Sequence, residues 1–116
     1  MKILWVENHA QFARIATQQF LAGHMVTIVP SLSAARTALA GNEFTVVMVD
    51  YDLDDGKGDE LVREVRQSPS SHWVVATSSH DEGNRLLVDD GAHAVCSKMN
   101  FSRIGEVLAQ LTGKVL

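Results

Sequence analysis

Five short apolar runs recur along this chain, and their spacing restricts the fold more than any other feature. Ile3–Val6, Met25–Val29, Val46–Val49, Trp73–Ala76 and Ala94–Cys96 are brief and rich in β-branched residues. They read as runs rather than strict alternation, as expected for strands covered on both faces. Between them the apolar residues take helical spacing. Phe12, Ile15, Ala16, Phe20 and Leu21 form one stripe within Ala10–Ala22, and Ser33–Leu39, Asp59–Gln67, Glu82–Val88 and Ile104–Leu111 follow the same rule. Ser31 or Ser33 supplies an N-cap for the second helix. Breakers fall between the elements at Gly23, Gly41-Asn42, Gly56, Gly58, Ser68-Pro69, Gly91 and Gly113. Five strand–helix units in series predict an α/β domain with a parallel sheet and right-handed crossovers. Its binding crevice is expected at the carboxyl ends of the strands.

The 116 residues fit one domain, 1–116, with no repeat, no linker and no effector domain. Net charge is −4 and the ten Lys and Arg are scattered, which argues against a direct nucleic-acid surface. The single cysteine, Cys96, permits no internal disulfide and fits a reducing compartment. No run approaches the roughly 18 apolar residues of a membrane span, and the N-terminal run is too short for a signal peptide. A soluble cytoplasmic protein without membrane contact is expected.

The chemistry gathers where the strands end. VVMVDYDLDDG, residues 46–56, runs from four apolar residues into Asp50, Asp52, Asp54 and Asp55 with no basic residue between. The first strand releases Glu7, Asn8 and His9, the fourth Thr77, Ser78, Ser79 and His80, and the fifth Ser97 and Lys98. If the first and third strands are adjacent, Glu7 and Asp50 sit close together. Two like charges at about 4 Å repel by roughly 4 kcal/mol at an effective dielectric near 20, a large part of a domain's stability of about 5–15 kcal/mol. Protonation of one acid resolves the conflict. So does a hard cation: magnesium takes one or two carboxylates and works alongside phosphate. Asp50 then suits nucleophilic attack on phosphorus, with Ser78 and Lys98 bonding phosphoryl oxygens. Thr77 and Ser79 leave the register of that hydroxyl open by one.

This arrangement resembles the CheY-like receiver domain of bacterial two-component response regulators, over the whole chain. ILWVEN resembles the first strand with its acidic pair, and VVMVDYDLDDGKGDEL the third strand, phospho-acceptor and following helix. VVATSSH resembles the fourth strand with its switch hydroxyl, and GAHAVCSKMNF the Gly-Ala turn, fifth strand and lysine. The resemblance implies a flavodoxin-like (βα)5 fold, a doubly wound parallel sheet of strand order 2-1-3-4-5 in a three-layer sandwich. It implies that Asp50 is the phosphorylated aspartate and Lys98 the invariant lysine. Ser78 falls on the switch hydroxyl. Glu7 and Asn8 fall on the acidic pair that holds Mg2+ with Asp50 and the backbone carbonyl of Asp52. Asp52 and His80 fall where side chains tune dephosphorylation. The implied partners are a sensor histidine kinase or histidine phosphotransfer protein and a downstream protein target; homodimerisation is left open. Enzymatic activity is limited to self-phosphorylation from a donor and autodephosphorylation.

Three departures qualify that reading. Asn8 replaces an acid, which predicts weaker magnesium binding. Met99 replaces the proline after the lysine, which predicts a trans or strained turn, because a cis bond costs about 3–4 kcal/mol before a residue other than proline. Val95 replaces the switch aromatic. Together they support an alternative, a phosphorylation-independent (pseudo-receiver) interaction module of the same fold. DYDLDD also looks like the DxD signature of haloacid-dehalogenase phosphatases, but that motif belongs on a first strand in a longer chain. Bland assignments complete the reading. Asn8 also fits as a cap of the following helix, and Lys98 also fits as a structural partner of Asp50. Asp54 and Asp55 read as solvated turn residues, and His9, His24, His72 and His93 as surface or edge histidines. Cys96, Trp5 and Trp73 read as core.

Overall fold

The computed structural model describes residues 1–113, so the last three residues of the expected 1–116 domain lie outside the described residues. Strands β1 (Lys2–Val6), β2 (Met25–Val29), β3 (Val46–Val49), β4 (Trp73–Ala76) and β5 (Ala94–Val95) form one sheet. Their order is β2-β1-β3-β4-β5 and every pairing is parallel. The helices between and after them are α1 (Ala10–Phe20), α2 (Leu32–Gly41), α3 (Gly58–Gln67), α4 (Asp81–Asp89) and α5 (Ile104–Thr112). This is the expected α/β, flavodoxin-like architecture and strand order.

The apolar runs are explained by what covers the sheet. Leu4, Val6, Val47 and Val49 face Leu32, Leu61, Val62 and Leu87 of α2, α3 and α4. The alternate residues Ile3, Trp5, Val46 and Met48 face Ala13, Ala16, Ile104 and Leu108 of α1 and α5. With both faces packed, neither parity along a strand tolerates a polar residue. Each such side chain contributes about 1.5–3 kcal/mol of transfer free energy. The two edge strands, β2 and β5, are the exceptions. Met25 is 71% exposed on β2, so two covered faces are not realised.

The α1/α5 side is aromatic. Trp5 stacks on Phe101 with centroids 4.7 Å apart, and Phe12 meets both rings edge-on. Trp5 is therefore core, as is Cys96, whose thiol burial pushes up to about 11. Trp73 is not core. It opens β4 at the amino end of the sheet, 38% exposed, with its ring edge-on to His93.

Two elements were not foreseen. Asp52–Leu53 and Gly56–Lys57 form a small antiparallel hairpin between β3 and α3, and a 3-10 helix spans Lys98–Arg103 ahead of α5. Both are too short for a hydrophobic period to repeat, so sequence pattern carries no signal for them. Ser31 rather than Ser33 caps α2, its hydroxyl accepting the Ala34 N–H at 3.1 Å. Helix α1 stops at Phe20, two residues short of the expected Ala22. Among the described residues no helix is long and apolar enough to cross a membrane.

Candidate functional site

Strand register brings three side chains level at the carboxyl edge of the sheet. Val6 pairs with Val29 and Val49, and Val49 pairs with Ala76. The ladder then continues one residue further. The N–H of Glu7 donates to Val29, that of Asp50 to Val6, and that of Thr77 to Val49, at 2.8, 3.0 and 2.9 Å. Glu7, Asp50 and Thr77 are all buried. Parallel pairing is what sets them side by side.

Lys98 reaches this group from the 3-10 helix. Its ammonium donates to Asp50 Oδ2 at 2.9 Å and to Glu7 Oε2 at 2.9 Å, and lies 2.8 Å from Glu7 Oε1. Burial pushes the Glu7 carboxyl above its ordinary range and neighbouring Asp50 adds to this, while Lys98 and the His9 N–H act against it. Burial also disfavours the Lys98 charge, but the two carboxylates outweigh it and hold the ammonium above its usual range. The expected like-charge conflict is thus offset within the chain, by an ammonium between two acids. Asp50 Oδ1 meanwhile accepts the Tyr51 N–H at 2.8 Å.

Other donors around this group suit a divalent cation. Asn8 Oδ1 is buried and accepts no hydrogen bond, and Glu7 Oε1 has the Lys98 ammonium beside it. Asn8 does not cap α1: the capping position is His9, and no side chain bonds there. One atom each from Glu7, His9 and Asp50 lies within 4.8 Å of the others. His9 is at the surface, as expected, but it also touches the buried acid. Its backbone N–H and ring Nδ1 both contact Glu7 Oε2, at 3.0 and 3.1 Å. Two carboxylates and an unpaired buried amide oxygen fit a divalent ion that takes oxygen ligands. Asp52 turns its carboxylate outward to the Lys57 ammonium, within the small hairpin.

The fourth strand presents its hydroxyls by parity. A Cβ added to Gly83 of α4 would lie 2.7 Å from Ser78 Oγ and 3.0 Å from Tyr51 Cβ. Ser78 and Tyr51 thus share the side facing α4, one residue out of phase with Thr77 and Asp50. Ser78 Oγ is already engaged, accepting the His80 N–H at 3.2 Å. Thr77 Oγ1 is buried and has no partner. The hydroxyl level with Asp50 belongs to Thr77, not Ser78, because side chains alternate across a strand. The same shift replaces His80. Ser79 lines a cleft of about 460 Å3 with His9, Phe12 and Lys98, whereas exposed His80 occupies the capping position of α4.

No protein-family model matches the sequence, and no curated protein matches it. Solved structures do. The signal receiver domain of a DNA-binding response regulator from Colwellia psychrerythraea 34H is 22% identical, with a TM-score of 0.83 over 98% of this chain and 99% of that one. A CheY-like response regulator receiver domain protein from Methanospirillum hungatei JF-1 is 19% identical, with a TM-score of 0.80 over 98% and 92%. A response regulator from Burkholderia pseudomallei, whose structure holds a phosphorylated aspartic acid, a calcium ion and citrate, is 18% identical, with a TM-score of 0.78 over 93% and 64%. The fold is that of response regulator receiver domains. At these identities the likeness is one of fold.

Within this receiver fold the turn after β5 is regular despite Met99. No peptide bond among the described residues is cis, and Ser97 Oγ accepts the Met99 N–H at 3.2 Å to start the 3-10 helix. Val95, in place of an aromatic, is 42% exposed.

Three supporting residues of the receiver fold escaped the sequence reading. Asn84 is buried on α4, where it bonds the Ser78 backbone. A polar residue three before Leu87 on the buried face was its one signal. Gly58 opens α3 so close to the acceptor loop that a Cβ would lie 2.0 Å from the Asp50 carbonyl oxygen. Asp55 is no idle turn residue. Its carboxylate accepts the Leu32 and Ser33 N–H groups at 2.6 and 3.0 Å, and these bonds hold its pKa below the ordinary range. It caps α2 from another loop, where helical N–H groups lack partners.

Proposed function

We propose that this chain is a phosphoryl-accepting receiver of two-component signal transduction. The observation that carries the reading is the buried Asp50 carboxylate, level with Glu7 and hydrogen-bonded to Lys98. A carboxylate oxygen of Asp50 attacks the phosphorus of a phosphohistidine on a sensor histidine kinase or histidine phosphotransfer protein. The P–O bond forms as the P–N bond breaks, and imidazole leaves. Lys98 bonds one phosphoryl oxygen and the Thr77 hydroxyl another. Glu7, Asn8, Asp50 and the backbone carbonyl of Asp52 hold a divalent cation, with Mg2+ the family's usual choice. When bound, it neutralises charge on the carboxylates and the phosphoryl group. Water later hydrolyses the acyl phosphate. Drawing Lys98 onto the phosphoryl group frees it from Glu7, and the rearranged surface around exposed Val88 and Val95 is read by a protein partner.

The test is intact mass after incubation with Mg2+ and a small acyl phosphate. One phosphoryl adduct is expected, absent from Asp50→Asn and absent with EDTA. A second reading, the phosphorylation-independent module, is favoured by Asn8 and by an ammonium that already satisfies both acids without a metal. Absence of the adduct at every cation concentration selects it.

A further inference from the structure

We propose that His9 is a direct ligand of the cation bound at Glu7 and Asp50, and that the site therefore takes a first-row transition ion, with Mn2+ as the probe, ahead of Mg2+. The inference rests on the receiver reading above and specifies its cofactor.

Geometry is the first support. His9 Nδ1 lies 3.1 Å from Glu7 Oε2, and ligand atoms of Glu7, His9 and Asp50 all fall within 4.8 Å of each other. Two ligands at right angles on one ion, each with a bond of roughly 2.0–2.2 Å, stand about 3 Å apart. The imidazole is thus already at the spacing of adjacent ligands. Its position is not accidental, since the His9 backbone N–H also bonds Glu7 Oε2 and roots the ring beside that carboxylate.

The second support is an unpaired oxygen beside the acids. Glu7 is fully buried and its two oxygens share the Lys98 ammonium, at 2.8 and 2.9 Å. Asn8 Oδ1 is buried and accepts no hydrogen bond. A buried oxygen left in that state favours a cation.

Chemistry then chooses the ion. Asn8 withdraws one negative charge, and Lys98 competes for both remaining acids. Magnesium depends on charged oxygen and dehydrates reluctantly, so it loses most from both. A neutral imidazole nitrogen adds bonding without adding charge, and transition ions exploit it far better than magnesium does. The ring is 69% exposed and lines the open cleft with Lys98, so an ion reaches it directly from solvent.

The experiment is calorimetric titration of the full chain with MgCl2 and MnCl2 separately, for wild type, His9→Ala and Glu7→Gln. Spin-echo spectroscopy of the Mn2+-loaded protein provides an independent readout of nitrogen ligation. The expected result is nitrogen modulation and tighter Mn2+ binding in the wild type. His9→Ala should abolish the modulation and weaken Mn2+ about tenfold, with less than about a twofold change for Mg2+. Equal losses for both ions, or no nitrogen modulation, overturns the role of His9. If Glu7→Gln still abolishes binding in that case, the receiver reading stands without it. If neither ion binds wild type, both the role of His9 and the receiver reading are overturned.

Discussion

The side-chain amide of Asn84 grips both backbone polar groups of Ser78, accepting its N–H at 2.8 Å and donating to its carbonyl at 3.0 Å. The same carbonyl also receives the backbone N–H of Lys98 at 3.4 Å. One peptide unit therefore joins α4, the loop after β4 and the segment carrying the ammonium. Each buried group left unpaired costs about 1–3 kcal/mol. Asn84→Leu is expected to lose about 2–4 kcal/mol in urea unfolding. A loss below about 0.5 kcal/mol would mean that water replaces the amide at no cost.

Thr77 and Ser78 are separated by a functional test. A hydrogen bond to a charged group is worth about 1.5–3 kcal/mol, roughly ten- to a hundredfold in rate. Thr77→Val is expected to slow adduct formation on Asp50 by that factor. Ser78→Ala, whose hydroxyl serves the His80 N–H, should change it less than about twofold. Time-resolved intact mass decides, and the reverse order would restore Ser78.

Lys98→Met leaves two buried carboxylates without their ammonium. Removing one partner of a buried ion pair costs about 3–5 kcal/mol, so metal-free unfolding should shift by that amount. Affinity for divalent ions should move the other way, tightening about tenfold or more, because a competing positive charge has gone. A variant weakened in both respects would show that Lys98 organises the site rather than competing for it.

His93 gives stability a pH dependence of known sign. Its Nδ1 accepts the Val74 N–H at 3.0 Å, which requires that nitrogen to be unprotonated. Burial, and then the Arg66 guanidinium, push its pKa below the ordinary 6.5. The unfolded chain then binds more protons than the folded one below that value. The contribution is complete above the ordinary value and is lost as pH falls through the depressed one. His93→Asn offers an amide oxygen to Val74 and cannot titrate. Its unfolding profile should lack the acid-side decline, and parallel profiles would remove His93 as the cause.

Strand positions were legible in the sequence because burial on two faces forces uninterrupted apolar runs. Val46–Val49 and Trp73–Ala76 match to the residue. Glu7, Asp50 and Lys98 were legible for a related reason, since each sits at the edge of such a run. What followed the strands was not. Whether Thr77 or Ser78 faces Asp50 depends on parity relative to a neighbouring strand, and one chain read alone does not contain that register. Asp55 and Asn84 act on distant backbone, and such bonds leave no periodic trace. The contact of His9 with Glu7 left no trace in the sequence, because two residues that close along the chain show no metal-site spacing until Asp50 joins them in space.

Trp5 lies two positions before Glu7 on β1 and stacks on Phe101, which belongs to the same 3-10 helix as Lys98. Any change that pulls the ammonium toward a new charge strains the segment against which this indole rests. Trp73 stands at the opposite end of the sheet, open to dissolved quenchers. Iodide is expected to quench the outer emitter and to spare the inner one. The unlabelled chain thus carries its own optical gauge, with one lamp beside the crevice and another as reference.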